Sequence, residues 1–448
     1  NCYDTGTAPC KTACPAHIAV QGYLKLAAQG KYREALQLIK RENPFPAVCG
    51  RICNRRCEDA CTRGTVDQAV AIDEVKRFIA QQDLDAATRF VPEKVIPKVD
   101  GAFDQQIAII GGGPAGLSCA YYLAEKGYRP TVFEKERRLG GMLENGLPSF
   151  RLEKDVVQAE IDVLREMGVQ FRCGVEVGKD VTIAQLREQG YQGFYVAVGL
   201  QSGGRLNIPG DDAQGVTAGI DFMRRVNGGQ ETKLEGRVVV IGGGNIAADV
   251  ARTAVRCGAE SVDLYCLESY DDMPMGPEDR GECERDGITI HAGWGQTEIV
   301  TENGHAAGIR FRKCLRVKND QGRFAPEFDD NDTCQAQCAA VLYCIGQKVD
   351  WRQLLTGTAV TFNPNGTAQV DPVTYQTAEP DIFAGGDAVT GQKFAIDAIA
   401  AGKEGAISLH RFVQKATLTI GRNRRQFVEL DKENALIPVG FDNTPRQR

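Results

Sequence analysis

Residues 107–120, IAIIGGGPAGLSCA, compress an apolar strand, a glycine turn and the start of a helix into one phrase, and residues 238–251, VVVIGGGNIAADVA, repeat it. In the first copy Gly111 permits the tight exit from the strand, Gly113 lets backbone approach a pyrophosphate, and Gly116 allows the helix to pack closely on the sheet. The helix amino end then offers free N–H groups and a positive partial charge to phosphate. Glu134 ends the following strand, where a carboxylate can accept hydrogen bonds from ribose hydroxyls. The second copy has Gly242 and Gly244, then Asn245 opening the helix and Ala247 at the third glycine position, which still permits close packing. Its next strand runs into Leu264-Tyr-Cys-Leu-Glu268. A carboxylate without arginine at that position pairs with two free ribose hydroxyls and repels a 2′-phosphate, so NADH is expected over NADPH. The competing reading makes Glu268 a solvated residue after a strand.

The totals fit a folded, multidomain protein. The 448 residues are 42% hydrophobic and 25% charged, the mean hydropathy is −0.29, and a chain this long is expected to form two or three domains. A net charge of −6 and the lack of a basic stripe interleaved with aromatics argue against a nucleic-acid partner. No apolar run approaches the ~18 residues of a membrane span, and no signal-peptide core opens the sequence, so the chain reads as cytoplasmic. Of 16 cysteines, seven precede residue 62; a disulfide scaffold would be small and loop-rich, unlike this chain. The start at Asn1 with Cys2 already inside a motif, and the basic close Thr444–Arg448, read as cut ends, from processing or from a longer polypeptide.

Apolar residues recur at helical spacing over Ile18–Ile39 and Val70–Ile79, and 90–103 reads as an extended linker. Strand, helix and strand then run over Ile107–Ile110, Ala115–Lys126 and Tyr128–Phe133, and the second unit extends from Val238 through Ile246–Arg256 to Ser261–Leu267. Val341–Ile345 is a further strand. The phrase DIFAGGDAV from Asp381 precedes a small-residue helix, Phe394–Phe412. Asp387 is an acceptor at the mouth of that turn, either a helix cap or a partner for a flavin side chain. The simplest architecture places one dinucleotide domain inside another.

The amino-terminal segment carries Cys10-Lys-Thr-Ala-Cys14-Pro15 and Cys49-x3-Cys53-x3-Cys57-x3-Cys61. Thiolates at such spacings suit iron–sulfur clusters, although zinc accepts similar ones. Residues 49 to 61 are also helically spaced, but Gly50 and Asn54 make one continuous helix poor. Two complete [4Fe-4S] clusters need eight ligands and this segment has seven cysteines.

The cysteine segment, GGGPAGL, LGGMLENGLPSFRL, GGGNIAADVART and FAGGDAVTG together resemble the glutamate synthase small subunit family and the equivalent amino-terminal half of dihydropyrimidine dehydrogenase, over nearly the whole chain to about Val413. The resemblance implies an α/β fold of two Rossmann-like domains, one inserted in the other, behind a small helical iron–sulfur domain. Its expected bounds are 1–89 for the iron–sulfur domain, 104–205 with 340–415 for FAD, 206–339 for NAD(P)H and 416–448 for a carboxy-terminal extension. It implies FAD held by Gly111, Gly113, Gly116, Glu134, Gly140, Gly141, Gly386 and Asp387, and a nicotinamide dinucleotide by Gly242, Gly244, Asn245, Ala247 and Glu268. Carried over by position, one cluster uses Cys2, Cys10 and Cys61, the other Cys14, Cys53 and Cys57, while Cys49 matches a cysteine that need not ligate. The chain departs from the pattern at Thr5, where a further cysteine often stands, and at Lys76, aligned with a glutamine ligand; Cys49, Asp73 and Glu74 are the candidates to complete the sets.

The activity implied by the resemblance is that of an NAD(P)H-dependent FAD oxidoreductase, its electrons leaving through two [4Fe-4S] clusters to a partner subunit or fused domain. Hydride transfer needs positioning rather than an acid or base. Gly140–Leu152 is the expected floor of the flavin site, with Arg151 and Lys154 as flavin-lining candidates or plain surface charges. A disulfide reductase would need a cysteine pair near the flavin; after Cys61 the nearest approach is Cys334-x3-Cys338, in a polar region. A docking module that only stores its cofactors is the third reading.

Overall fold

In a computed structural model of the chain, residues 8–94, 103–230 and 232–422 are described. Cys2, Thr5 and most of the expected linker and carboxy-terminal extension lie outside them. The chain divides into two compact units, one comprising residues up to Glu144, Phe150–Leu200 and everything from Val349, the other Asn145–Ser149 and Gln201–Lys348.

The first unit is built on a five-stranded parallel sheet in the order Ile382–Ala384, Tyr191–Val196, Gln106–Ile110, Thr131–Glu134, Gln170–Cys173. Ile107 to Ile110 are buried without alternation, as a central parallel strand covered on both faces requires. Helix Pro114–Glu125 starts with proline in its first turn, where no N–H is needed, and stops before Gly127, whose φ of +99° no helix continues. Helix Ala395–Val413 lies against it through small residues: a side chain at Gly402 would come within 2.2 Å of the Ala115 carbonyl oxygen. The Ser118 hydroxyl donates to the Ile399 carbonyl at 2.8 Å and ties the pair together.

The cysteine segment belongs to this same unit. The apolar period of Ile18–Ile39 forms two helices, Val20–Ala28 and Tyr32–Lys40, because Gly30 turns the chain at φ +73°. The evenly spaced cysteines 49 to 61 do not share one helix: Pro46–Ile52 ends, Arg55 takes φ +57°, and Arg56–Asp59 starts afresh. Polar contacts tie these helices to the sheet domain, among them an Arg51–Glu153 pair at 2.6 Å. Glu160, in helix Lys154–Glu166, accepts hydrogen bonds from the N–H groups of Ala47 (2.7 Å) and Val48 (2.9 Å), capping the helix that carries Cys49. Arg56 pairs with both oxygens of Asp397 at 3.0 and 3.1 Å. Lys403 pairs with Glu42 and also donates to the Arg41 carbonyl at 2.9 Å.

The second unit repeats the parallel plan in the order Val216–Ala218, Ala340–Tyr343, Arg237–Ile241, Ser261–Cys266, Thr289–Ala292. Its core gathers Val238, Val240, Ala247, Ala251 and Leu264. A three-stranded antiparallel sheet, Trp294–Glu302, His305–Lys318 and Phe324–Gln337, completes it. Here the expected bounds need correction. Ala340–Tyr343, expected in the outer domain, lies between Val216–Ala218 and Arg237–Ile241, with Val341 opposite Val216 and Val239. Ser202–Gly203 pairs with Gln347–Lys348 in a two-stranded ladder. The interruption therefore runs from Gln201 to Lys348, rather than from 206 to 339.

The first glycine turn is among the tightest points of the first unit, since a Cβ at Gly116 would stand 2.0 Å from the Gly111 carbonyl oxygen. Gly116→Ala is expected to cost about 1–3 kcal/mol through overpacking, read as a lower urea midpoint by circular dichroism. An unchanged midpoint would show that this approach does not constrain the fold.

Candidate functional site

Each glycine turn makes a cradle of backbone. Gly111 holds φ +108° against the Ala197 carbonyl, where any Cβ would be 2.4 Å from oxygen, while a Cβ on Gly113 would meet only Gly141 Cα, at 3.8 Å. The N-cap of helix Pro114–Glu125 is Gly113, and no side chain caps its first N–H groups. An uncapped start in front of an open glycine is what a pyrophosphate requires. Glu134 is 6% exposed and sits over this turn, accepting the Gly112 N–H at 2.6 Å and the Glu136 N–H at 2.8 Å. Burial raises its carboxyl above the usual range against the pull of those two donors.

Gly140 and Gly141 close on the same turn. The Gly140 N–H donates to the Gly112 carbonyl at 2.8 Å, and a Cβ on Gly141 would lie 2.9 Å from Gly113 Cα. Just beyond them Glu144, 2% exposed, pairs with Arg138 at 2.8 Å and accepts from Gln158 at 3.2 Å. Lys154 donates to the Leu143 carbonyl at 2.9 Å, so the side chain expected to line the flavin is anchored to this loop. Arg151 is half-buried one turn earlier. Gly386, at φ +68°, leads into the short helix Asp387–Thr390, and a Cβ there would lie 2.9 Å from Ala115 Cβ, beside the first turn. Asp387 comes directly after it. Burial pushes its carboxyl up to about 6, although Lys393 N–H donates to it at 3.3 Å. The eight residues assigned to FAD are thus brought to one end of the parallel sheet and fit a dinucleotide.

The second unit presents the same parts. Gly242 holds φ +142° with the Cys344 carbonyl 2.7 Å from where a Cβ would be, Gly244 has open space, and helix Asn245–Arg256 starts without a side-chain cap. Ala247 is fully buried, and Asn245 accepts the Gly276 N–H at 3.2 Å. Glu268 reaches back over this turn: its Oε2 would lie 2.8 Å from a Cβ on Gly243, as Glu134 Oε2 would lie 3.1 Å from one on Gly112.

The six described cysteines of the amino-terminal segment are free thiols; Cys10, Cys14, Cys49 and Cys61 are buried, Cys53 and Cys57 half-buried. Cys14, Cys53 and Cys57 act on one another electrostatically, and Cys53 acts on Cys49. Burial raises Cys14, Cys49 and Cys57, so the thiolate forms need a cation nearby. Among the described residues no three His, Cys, Asp or Glu side chains are grouped to hold a metal ion. A four-iron cluster bonds each sulfur to a different iron, so its ligands need not converge on one point, and soft thiols fit that chemistry. Helices Pro9–Ala13 and Arg56–Asp59, bearing Cys10 and Cys57, pack together.

Two comparisons with known families match this geometry. Residues 105–402 match the pyridine nucleotide-disulphide oxidoreductase family, and residues 1–88 match dihydropyrimidine dehydrogenase domain II, 4Fe-4S cluster. The chain belongs to the pyridine nucleotide-disulphide oxidoreductases. It is 31% identical over 431 residues to the glutamate synthase [NADPH] small chain of Escherichia coli, covering 92% of this chain and 90% of that one. It is also 36% identical over 434 residues to the NADP(+)-dependent formate dehydrogenase subunit beta of Moorella thermoacetica, spanning 60% of that relative's length. FprA from Mycobacterium tuberculosis shares the fold at a TM-score of 0.60 and 17% identity, over 69% of this chain and 85% of that one. This member is thus an FAD-containing oxidoreductase with an amino-terminal 4Fe-4S domain, related to the glutamate synthase small chains as the motifs imply. Despite the family's name, Cys334 and Cys338 lie on or just after a strand of the antiparallel sheet as free thiols. Among the described residues no helix is long and apolar enough to cross a membrane.

Sequence reasoning missed Glu160 and Glu144, buried carboxylates inside amphipathic or glycine-rich stretches. Their only signal was a charge on an otherwise apolar face. Burial first, and then Asp83, push Glu160 from 4.5 up to about 8, against the Ala47 and Val48 donors and Lys40. The folded protein then keeps a proton there that the unfolded chain releases near its ordinary value, so this group's contribution to stability falls as pH rises between those two values. Glu160→Gln is expected to flatten that decline by at most about 1.4 kcal/mol per pH unit, measured by urea unfolding at pH 5.5 and 7.5. Equal slopes in both proteins would show that Glu160 does not set the decline.

Proposed function

We propose that this chain takes hydride from NADH onto its flavin and releases the electrons singly, through two [4Fe-4S] clusters, to a partner subunit or fused domain. The observation that carries the reading is the duplicated cradle, two uncapped helix starts each under a glutamate, within a chain whose first 88 residues match a 4Fe-4S domain. FAD, when bound, supplies the conversion between two-electron hydride chemistry and one-electron transfer. The chain's own residues bind and orient: Gly111, Gly113 and Gly116 admit the pyrophosphate, Glu134 takes the adenosine ribose, and Gly140, Gly141, Gly386 and Asp387 line the remainder. Cys10, Cys61 and Cys2 are assigned to one cluster, and Cys14, Cys53 and Cys57 to the other, with Cys49 beside the second set.

Support for a partner comes from the relatives, several of which are named as subunits: the beta subunit of the formate dehydrogenase, the glutamate synthase small chain, and the NADPH-Fe(3+) oxidoreductase subunit beta of Geobacter sulfurreducens. Those names carry NADPH or NADP(+). The preference for NADH proposed for this chain rests on Glu268, whose carboxylate overhangs Gly243 where a 2′-phosphate would bring a second negative charge.

Anaerobic mixing of the metal-replete chain with each nucleotide, followed at the flavin band, tests both statements. NADH is expected to bleach the flavin at least ten times faster than NADPH at equal concentration, and Glu268→Ser to reduce that ratio about tenfold, or about 1.4 kcal/mol. No bleaching with either nucleotide would refute the electron-transfer reading, and faster bleaching with NADPH would refute the assignment of Glu268 alone.

A further inference from the structure

Helices Pro46–Ile52 and Ile72–Ala80 cross so closely that a Cβ on Gly50 would lie 2.7 Å from Arg77 Cα. Their flanking residues Cys49 and Lys76 are thereby buried at the crossing, 1% and 4% exposed. A lysine is seldom buried unless paired, and Lys76 is paired: its ammonium donates to Asp73, one turn back and itself 1% exposed. Asp73 is fixed in turn, since its own N–H donates to Glu58, the neighbour of Cys57, at 2.8 Å, and Arg55 stands 3.9 Å from its other oxygen. We propose that the buried Lys76 ammonium, held in place by Asp73, faces the sulfurs of Cys14, Cys49, Cys53 and Cys57 and raises the reduction potential of the cluster bound there.

This inference rests on the electron-transfer reading above and adds a residue to it. The orientation of the ion pair decides the sign. Asp73 has one oxygen on the Lys76 ammonium and the other toward Arg55, so its charge is the more fully offset, while Lys76 stands at the helix crossing beside Cys49 and favours the thiolates of Cys14, Cys49 and Cys57. The positive end of the pair is therefore the end toward the sulfurs. A protonated lysine has no lone pair to give to iron, so its effect there is that of a charge. Reduction adds one negative charge to a cluster already held by thiolates, and a fixed cation in a poorly screened interior favours the more negative state. Lys76 is a tuning residue with no part in hydride transfer.

The test is a potentiometric titration of the anaerobically reconstituted full chain, with each cluster followed by low-temperature electron paramagnetic resonance and the flavin by absorbance. In Lys76→Met, at fixed ambient potential, the reduced-to-oxidised ratio of one cluster is expected to fall at least tenfold, a downward shift of 59 mV for a one-electron couple. Iron content, the flavin midpoint and the other cluster stay as in the wild type, and Lys76→Arg, which keeps the charge, stays within threefold. Should Lys76→Met fail to fold, Lys76→Gln, whose amide can still donate to Asp73, carries the same expectation. An iron-replete neutral variant with unmoved cluster signals overturns the proposal and leaves the electron-transfer reading standing. Loss of iron from both neutral variants makes the lysine a structural requirement and also overturns it. Wild-type chain that takes up no iron overturns both readings.

Discussion

A backbone carbonyl with no room for a methyl group beside it governs the first unit. Because Gly111 O lies where a Cβ on Gly116 would begin, the strand can turn into the helix within five residues, and the helix starts directly over the end of the sheet. Everything assigned to the flavin depends on that closeness. Gly113 is left open, Gly140 bonds back to Gly112, Gly386 meets Ala115, and Glu134 is drawn over the turn by the Gly112 N–H. A larger residue at the crossing would lift the helix and scatter these groups.

The same economy joins the cysteine helices to the sheet domain. Short helices are poorly stable alone, and the longest of those in the amino-terminal segment have nine residues. Their stability comes from tertiary anchors instead. Glu160 gives both oxygens to the first N–H groups of the helix carrying Cys49, Arg56 is bidentate to Asp397, and the fully buried Lys40–Asp83 pair holds the helix Tyr32–Lys40 to the turn after Ile72–Ala80. Two of those partners, Glu160 and Asp397, lie on helices that come after or face the flavin turn. The thiols and the dinucleotide cradle thus belong to one compact unit, as fixed positioning of electron carriers demands.

The glycine turns, their helices and the acidic residues after them were legible because each is a local pattern with a mechanical cause. What was not legible was long-range. A buried strand such as Ala340–Tyr343 has no alternation to show which sheet it joins, and its partners Val216–Ala218 and Arg237–Ile241 lie a hundred or more residues away. In the antiparallel sheet Trp294–Gln337 the buried positions are few and irregularly spaced, so it carries no strong apolar period. Gly30 looked tolerable inside a helical period, yet its left-handed φ ends one helix and begins another. Glu160 was invisible because the backbone it caps is more than a hundred positions earlier.

The two glutamates above the turns hold their carboxylates in different surroundings. Glu134 and Glu268 are placed alike over the middle glycine of their turns, yet Glu134 is buried and Glu268 only partly so. The buried carboxylate spends its oxygens on Gly112 and Glu136 N–H groups, and desolvation leaves it poorly able to bear a second negative charge beside it. Glu268 has no such described donors and faces more solvent, so its charge is free to act on whatever occupies the turn. A ribose diol satisfies that charge with two hydroxyl donors; a 2′-phosphate removes one donor and adds repulsion in the same place. Neither Leu267 nor Glu268 offers a cation to a 2′-phosphate, since the two positions hold an isobutyl group and a carboxylate.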